Sequence, residues 1–101
     1  VDEVVIWIDF ETYSETPIQA GTFRYLEDCE ATICAYAFDD GPVRTWDITA
    51  SGTLPGDLEY ALLDTDDLIT AHNAAFDANV LRLSKNLRVA IAPDRWRCNM
   101  A

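Results

Sequence analysis

Two carboxylates, Asp9 and Glu11, stand two residues apart at the end of an apolar stretch, Val4-Val5-Ile6-Trp7-Ile8. On an extended strand, at ~3.3 Å rise per residue, their Cβ atoms lie roughly 7 Å apart on one face. Two carboxylates closing a buried strand repel each other and lose hydration unless a cation neutralises them. Two divalent ions ~3.5–4 Å apart fit between such groups, with one shared ligand bridging both. The alternative is a strand that simply runs out into solvent, where any acid is tolerated. A third acid, Asp77, closes the run His72-Asn73-Ala74-Ala75-Phe76-Asp77. Asn73 is a natural N-cap for a helix that starts there. Asp77 falls in the first turns, where the positive end of the helix dipole favours an ionised carboxylate. It lies off the stripe of Phe76, Val80, Leu83 and Leu87, so it need not point into the helix's own packing face. It then points to the C-terminal end of the first strand, provided that the two strands are neighbours. Phe76 reads either as core or as the lining of a cleft beside the acids, and Asn73 either as a bare cap or as a positioning residue. His72, the sole histidine, reads as a strand-end residue rather than a ligand.

The elements that must position these residues follow from pattern. Residues 4–8 are β-branched and aromatic and apolar on both alternating faces, which predicts a central strand covered on both sides. Residues 12–29 read as a polar connection carrying the aromatic pair Phe23 and Tyr25. Residues 31–38 form a second strand. Asp39-Asp40-Gly41-Pro42 is a turn whose Asp-Gly step supplies positive φ, and residues 43–48 return as a third, antiparallel strand. A helix opens at Thr53-Leu54-Pro55 and runs to about Leu63. Residues 68–71 are a short fourth strand, followed by the helix that carries Asp77 and reaches Leu87. Trp96 to Ala101 looks like the opening of a third helix that stops without a cap or breaker. The order β-β-β-α-β-α gives one α/β domain, a mixed sheet with helices packed on it. A first residue that is not Met reads as a chain either processed or cut from something longer.

Composition narrows the class. The 101 residues carry 7 basic and 18 acidic side chains, a net charge of −11, which excludes a simple basic-patch nucleic-acid binder. The charge is uneven: residues 1–67 hold 16 acids against Arg24 and Arg44, whereas residues 68–101 hold five bases against Asp77 and Asp94. Such a split reads either as a solvated acidic face or as an acidic pole for divalent metal beside a basic end for a polyanion. The three cysteines, Cys29, Cys34 and Cys98, form no C-x-x-C pair, so they read as small apolar residues in a reducing cytosol. The longest apolar run, Ile33 to Phe38, is six residues, far below a membrane span. No signal peptide is visible at the acidic start, Asp2 and Glu3. A cytoplasmic location is expected.

Asp9-Phe10-Glu11-Thr12 resembles the first motif of the DnaQ-like, or DEDD, 3′–5′ exonucleases, and Asn73-Ala74-Ala75-Phe76-Asp77 resembles the second. The whole of residues 1–101 resembles the N-terminal portion of the exonuclease domain of phage-type family A DNA polymerases. The flanking runs Gly21-Thr22-Phe23-Arg24-Tyr25, Ala35 to Val43, Trp46-Asp47, Ala71-His72-Asn73-Ala74 and Arg95 to Ala101 carry the same likeness. The resemblance implies a ribonuclease H-like fold. It also implies a metal-dependent exonuclease that hydrolyses DNA 3′ ends to nucleoside 5′-monophosphates, using two divalent ions, Mg2+ or Mn2+. Asp9 would bridge both ions, Glu11 would hold one and orient the attacking water, and Asp77 would ligate the second. Thr12 would contact the terminal nucleotide through its backbone, Asn73 would help position the site, and Phe76 would line it.

The implied partners are a single-stranded or frayed DNA 3′ end and a polymerase domain in the parent chain. The family carries a further motif with a Tyr or His general base and a fourth Asp. No Tyr follows Tyr60 and the last acid is Asp94. The alternative is therefore a catalytically incomplete module that binds metal or nucleic acid and needs a further segment or partner. An uncovered sheet edge is a pairing hazard, which makes a homodimer a further expectation. Trp96, between Arg95 and Arg97, reads either as a strand contact through base stacking or as an indole packed on the sheet edge.

Overall fold

The computed structural model describes residues 4–14, 21–84 and 86–98, without the side chains at positions 22, 23 and 27. Its elements are β1 (Val5–Tyr13), α1 (Thr22–Asp28), β2 (Glu30–Phe38), β3 (Arg44–Asp47), α2 (Gly56–Leu63), β4 (Leu68–Ala71), α3 (Ala74–Leu83) and β5 (Trp96–Cys98), with a 3-10 turn at Pro93–Arg95. The strands form one sheet in the order β3-β2-β1-β4-β5. β2 runs antiparallel to β1 and β3, and β4 runs parallel to β1 and β5. This is a mixed α/β sheet with flanking helices, compatible with a ribonuclease H-like fold.

The alternation of β1 decides its packing. Ile6, Ile8 and Phe10 are buried and meet Leu26 of α1, Leu58 and Leu62 of α2, and Val80 and Leu81 of α3 in one core. The opposite face carries Trp7, Asp9, Glu11 and Tyr13, all exposed. β1 is central, as its sequence predicts, but it is not covered on both sides, since Trp7 keeps 40% of its surface. Apolar residues on both faces show what a strand tolerates, not whether an element lies over each face.

Several local expectations are corrected. The connection read over residues 12–29 contains α1, a helix of seven residues opened by Gly21 at φ 113 with no side-chain cap. Positive φ at that position suits glycine alone at no steric cost. The β2–β3 turn takes its left-handed residue at Asp39 (φ 50) rather than at Gly41. Asp39 is fastened there by two bonds to Val5, its amide on the Val5 carbonyl and its carboxylate on the Val5 amide, each 2.9 Å. Gly41 is needed for space instead, because a Cβ there would stand 3.0 Å from the Phe38 carbonyl oxygen. α2 starts at Gly56, after Pro55. α3 ends at Leu83, short of Leu87. Residues 96–98 are strand β5 rather than the opening of a helix, while Asn99, Met100 and Ala101 lie outside the described residues.

Side chains bind the layers together. Asp57, in the first turn of α2, accepts from the Tyr36 hydroxyl on β2 and from Arg44 on β3, each at 3.1 Å. Asn86 pairs both ways with Ala31, accepting its amide at 3.1 Å and donating to its carbonyl at 2.9 Å, so that its carboxamide imitates a strand partner for the start of β2. Arg95 donates to the carbonyls of Ala61 (3.0 Å), Leu62 (2.7 Å) and Asp67 (3.0 Å), which caps the C-terminus of α2 from β5's side. Arg97 donates to the carbonyls of Asp94 and Trp96. Arg95 is therefore spent on backbone, whereas Arg97 makes both of its bonds through one nitrogen and stays exposed. The sheet edges are β3 and β5, of four and three residues; strands this short offer little to a pairing partner. No helix among the described residues is long and apolar enough to cross a membrane. Cys29 and Cys34 are buried as expected, whereas Cys98 is exposed, on an edge strand, with its Sγ 3.3 Å from the His72 carbonyl oxygen.

Candidate active site

β1 and β4 are parallel neighbours, with Val5 opposite Leu68 and Trp7 opposite Thr70. β4 ends at Ala71, while β1 continues to Tyr13. Beyond that point β1 has no strand on its β4 side, and its backbone there needs other partners. Asn73 leaves the end of β4 and caps α3, its side chain accepting from the Phe76 amide at 3.2 Å. The cap aims the first turn of α3 at the unpaired length of β1. Asp77 then accepts a hydrogen bond from the Phe10 amide at 3.3 Å.

Asp77 is not off the packing face of its helix. It is 3% exposed and shares the buried side of α3 with Ala74, Val80 and Leu81, while Phe76 and Leu83 are only half-buried. The buried stripe is rotated from the one the apolar residues suggest, and a hydrogen bond from Phe10 offsets part of the cost of burying the Asp77 carboxyl. Burial pushes this carboxyl up to about 6; the Phe10 amide and the charge of His72 oppose the rise, and the charge of Asp9 adds to it. The negative charges of Asp9 and Asp77 are thus within electrostatic reach of each other, although 68 positions separate them. Cys34 lies beneath both. Burial, then the charge of Asp77, pushes its thiol up to about 12, against a hydrogen bond from the Asp9 backbone.

Asp9 and Glu11 are both exposed and stand on the same face of β1. Glu11 is followed by a register shift in the β1–β2 ladder, before Thr12. The Thr12 hydroxyl meets the Tyr25 hydroxyl of α1 at 3.0 Å. Tyr25 is thereby part of the surroundings of the acidic pair. Nothing in the order of residues marks Tyr25 for this role, since α1 is a mixed run of Thr, Phe, Arg, Tyr, Leu, Glu and Asp. A shallow groove of about 300 Å3 opens beside Asp9, between Trp7, Val43, Thr70 and His72. Phe76 packs against the core at its edge.

Among the described residues no three His, Cys, Asp or Glu side chains are gathered into a cation cage. Asp9 and Asp77 are brought together; Glu11 shares the face of Asp9 without closing on the pair. Three carboxylates drawn together without a cation repel one another. All the donors concerned are hard carboxylate oxygens, which suit Mg2+ or Mn2+ rather than a soft metal.

No family model matches the chain. Over 94 residues, 90% of its length, the chain is 37% identical to a protein named DNA polymerase from Bacillus phage SP02. It spans 14% of the length of that relative. The similarity is therefore to one part of a much longer phage polymerase.

Proposed function

We propose that this chain is the acidic-site portion of a metal-dependent 3′–5′ exonuclease of proofreading type, acting on DNA 3′ ends within a phage-type DNA polymerase. The observation that carries the reading is the meeting of Asp77 with β1 beside Asp9. Nothing in the packing of a core requires a buried carboxylate there, and α3 carries one to the only acidic stretch of β1. Part of a phage DNA polymerase is the setting in which the sequence similarity falls. In that setting the chain works in the cytoplasm of the infected bacterial cell.

Asp9, Asp77 and Glu11 would hold the two divalent ions, Glu11 closing on the pair as cations relieve the repulsion. The ions would supply a nucleophile near neutral pH and stabilise the leaving 3′-oxyanion. The chain's own residues do the rest. Asn73 fixes the first turn of α3, and with it the direction of Asp77. The Phe10 amide holds one Asp77 oxygen, and the other would be the one to meet a cation. Tyr25 steadies Thr12, whose backbone would meet the terminal nucleotide. Phe76 would border the same cleft.

The test is turnover by the purified chain with Mg2+ or Mn2+ on single-stranded and 3′-recessed DNA. Release of nucleoside 5′-monophosphates that disappears in Asp9→Ala is expected; equal turnover by that variant would expose a contaminant and reject the reading. A second reading is favoured by the ungathered Glu11: a module that binds metal or a DNA end and turns over only when another segment completes the site. Calorimetric Mn2+ binding without hydrolysis would select it. Absence of both Mn2+ binding and binding of a DNA 3′ end would reject both.

A further inference from the structure

A groove of about 390 Å3 runs along α3, between that helix and the segment leading into β5. Ala74, Ala75 and Ala78 form its floor, and Asn79, Arg82 and Trp96 border it. We propose that this groove is a track for single-stranded nucleic acid, with Trp96 stacking on a base and Arg82 meeting a backbone phosphate. The inference rests on the exonuclease reading for the direction in which the strand runs, since the groove begins at Ala74, immediately after Asn73.

Four observations converge. Three alanines leave the helix surface low, so the groove has the volume of a small-ligand site, at the lower end of the usual ~300–1,000 Å3. Trp96 is half-buried and faces this space, and base stacking on an indole tolerates any sequence. Arg82 is exposed and donates to Asn79 at 2.8 Å, which lays it along the groove. Among the described residues no carboxylate pairs with it, and a guanidinium has donors to spare after one bond. The fourth is charge. Within a chain of net charge −11, residues 68–101 hold five bases against two acids, so this end is where a polyanion meets least repulsion. Arg95, beside Trp96 in sequence, is occupied by three carbonyls, and of the exposed arginines Arg82, on a different element, is the one that lines the groove, so the phosphate contact falls to it.

The experiment is fluorescence anisotropy of a 5′-labelled ten-residue oligothymidylate in EDTA, at several salt concentrations, with cleavage of a dinucleotide in Mn2+ measured in parallel. Trp96→Leu is expected to weaken binding by about tenfold, as for the loss of one stacked base. Arg82→Gln is expected to weaken it and to lower the salt slope by about 0.7, the value for one phosphate contact on a single strand. Neither should change dinucleotide cleavage. Arg82 is exposed, so its variant carries the test if Trp96→Leu fails to fold. Equal affinity of both variants and the parent overturns the track, as does absence of binding by the parent. Competition by inorganic polyphosphate as strong as that by the oligonucleotide, charge for charge, also overturns it. Binding sensitive to both variants without cleavage supports the track and rejects catalysis by this chain; cleavage without such binding does the reverse.

Discussion

Asp77 and Phe10 are joined by a hydrogen bond of 3.3 Å from the Phe10 amide to the Asp77 carboxyl, which fastens the first turn of α3 to the unpaired length of β1. One oxygen of the carboxyl is thus structural. Its charge, held against Asp9 at an energetic cost, is not needed for the fold.

That division predicts opposite results for two substitutions. Asp77→Ala leaves the Phe10 amide without its partner and should cost about 1–3 kcal/mol in urea unfolding. Asp77→Asn keeps an acceptor oxygen and removes the buried charge, so it should be at least as stable as the parent at pH 8. Both should abolish Mn2+-dependent stabilisation, read as a rise in Tm. If Asp77→Asn binds Mn2+ like the parent, Asp77 is not a ligand.

The same carboxyl makes stability depend on pH. It titrates near 6 in the folded chain against an ordinary 3.8. Between those values the folded state holds a proton that the unfolded state has lost. The contribution of Asp77 to stability is therefore fully present below pH 4 and falls as pH rises to 6, by on the order of 2–3 kcal/mol. The difference in unfolding free energy between the parent and Asp77→Asn isolates it. It should move in favour of the variant from pH 4.5 to pH 8; a flat difference would mean that the carboxyl is not desolvated.

Arg95, just before β5, holds the end of α2 through the Ala61 and Leu62 carbonyls and the approach to β4 through that of Asp67. Arg95→Met should cost about 2–4 kcal/mol, since bonds from a charged donor are worth about 1.5–3 kcal/mol each and are not additive. Arg95→Lys should recover only part of this, because an ammonium cannot span three acceptors as a planar fork does. Urea midpoints of the three proteins give the order.

Asn86 tests a side chain acting as a strand. Asn86→Ala should cost about 1–3 kcal/mol by stranding both backbone groups of Ala31. Asn86→Asp keeps the acceptor for the Ala31 amide but sets a carboxylate oxygen against the Ala31 carbonyl, so it should be no better than alanine. Hydrogen exchange at the Ala31 amide should speed up in the alanine variant and much less in Asn86→Asp.

The β2–β3 hairpin, β1, β4 and the start of α3 at Asn73 were all legible in the sequence, because each depends on neighbours within a few residues: apolar alternation, a turn pair, a capping side chain. The acidic pair was legible for the same reason. α1 was not, since its seven residues have a glycine N-cap without a side-chain bond and no apolar period long enough to register. β5 was not either: three residues become a strand only because β4 lies beside them, with Ile69 opposite Trp96.

By itself, then, the sequence determined which residues could be strand, turn and cap, and that two acids share one face at the end of β1. The strand order was decided by the tertiary structure alone, and so were the open face around Trp7 and the burial of Asp77. The physical reason is that periodicity records the polarity of a side chain, whereas the partner of a backbone amide is set by what the fold brings next to it. Asp77 could be expected to face the end of β1 if the two strands were neighbours, but that β1 outruns β4 and leaves the Phe10 amide for it to meet was decided by the fold.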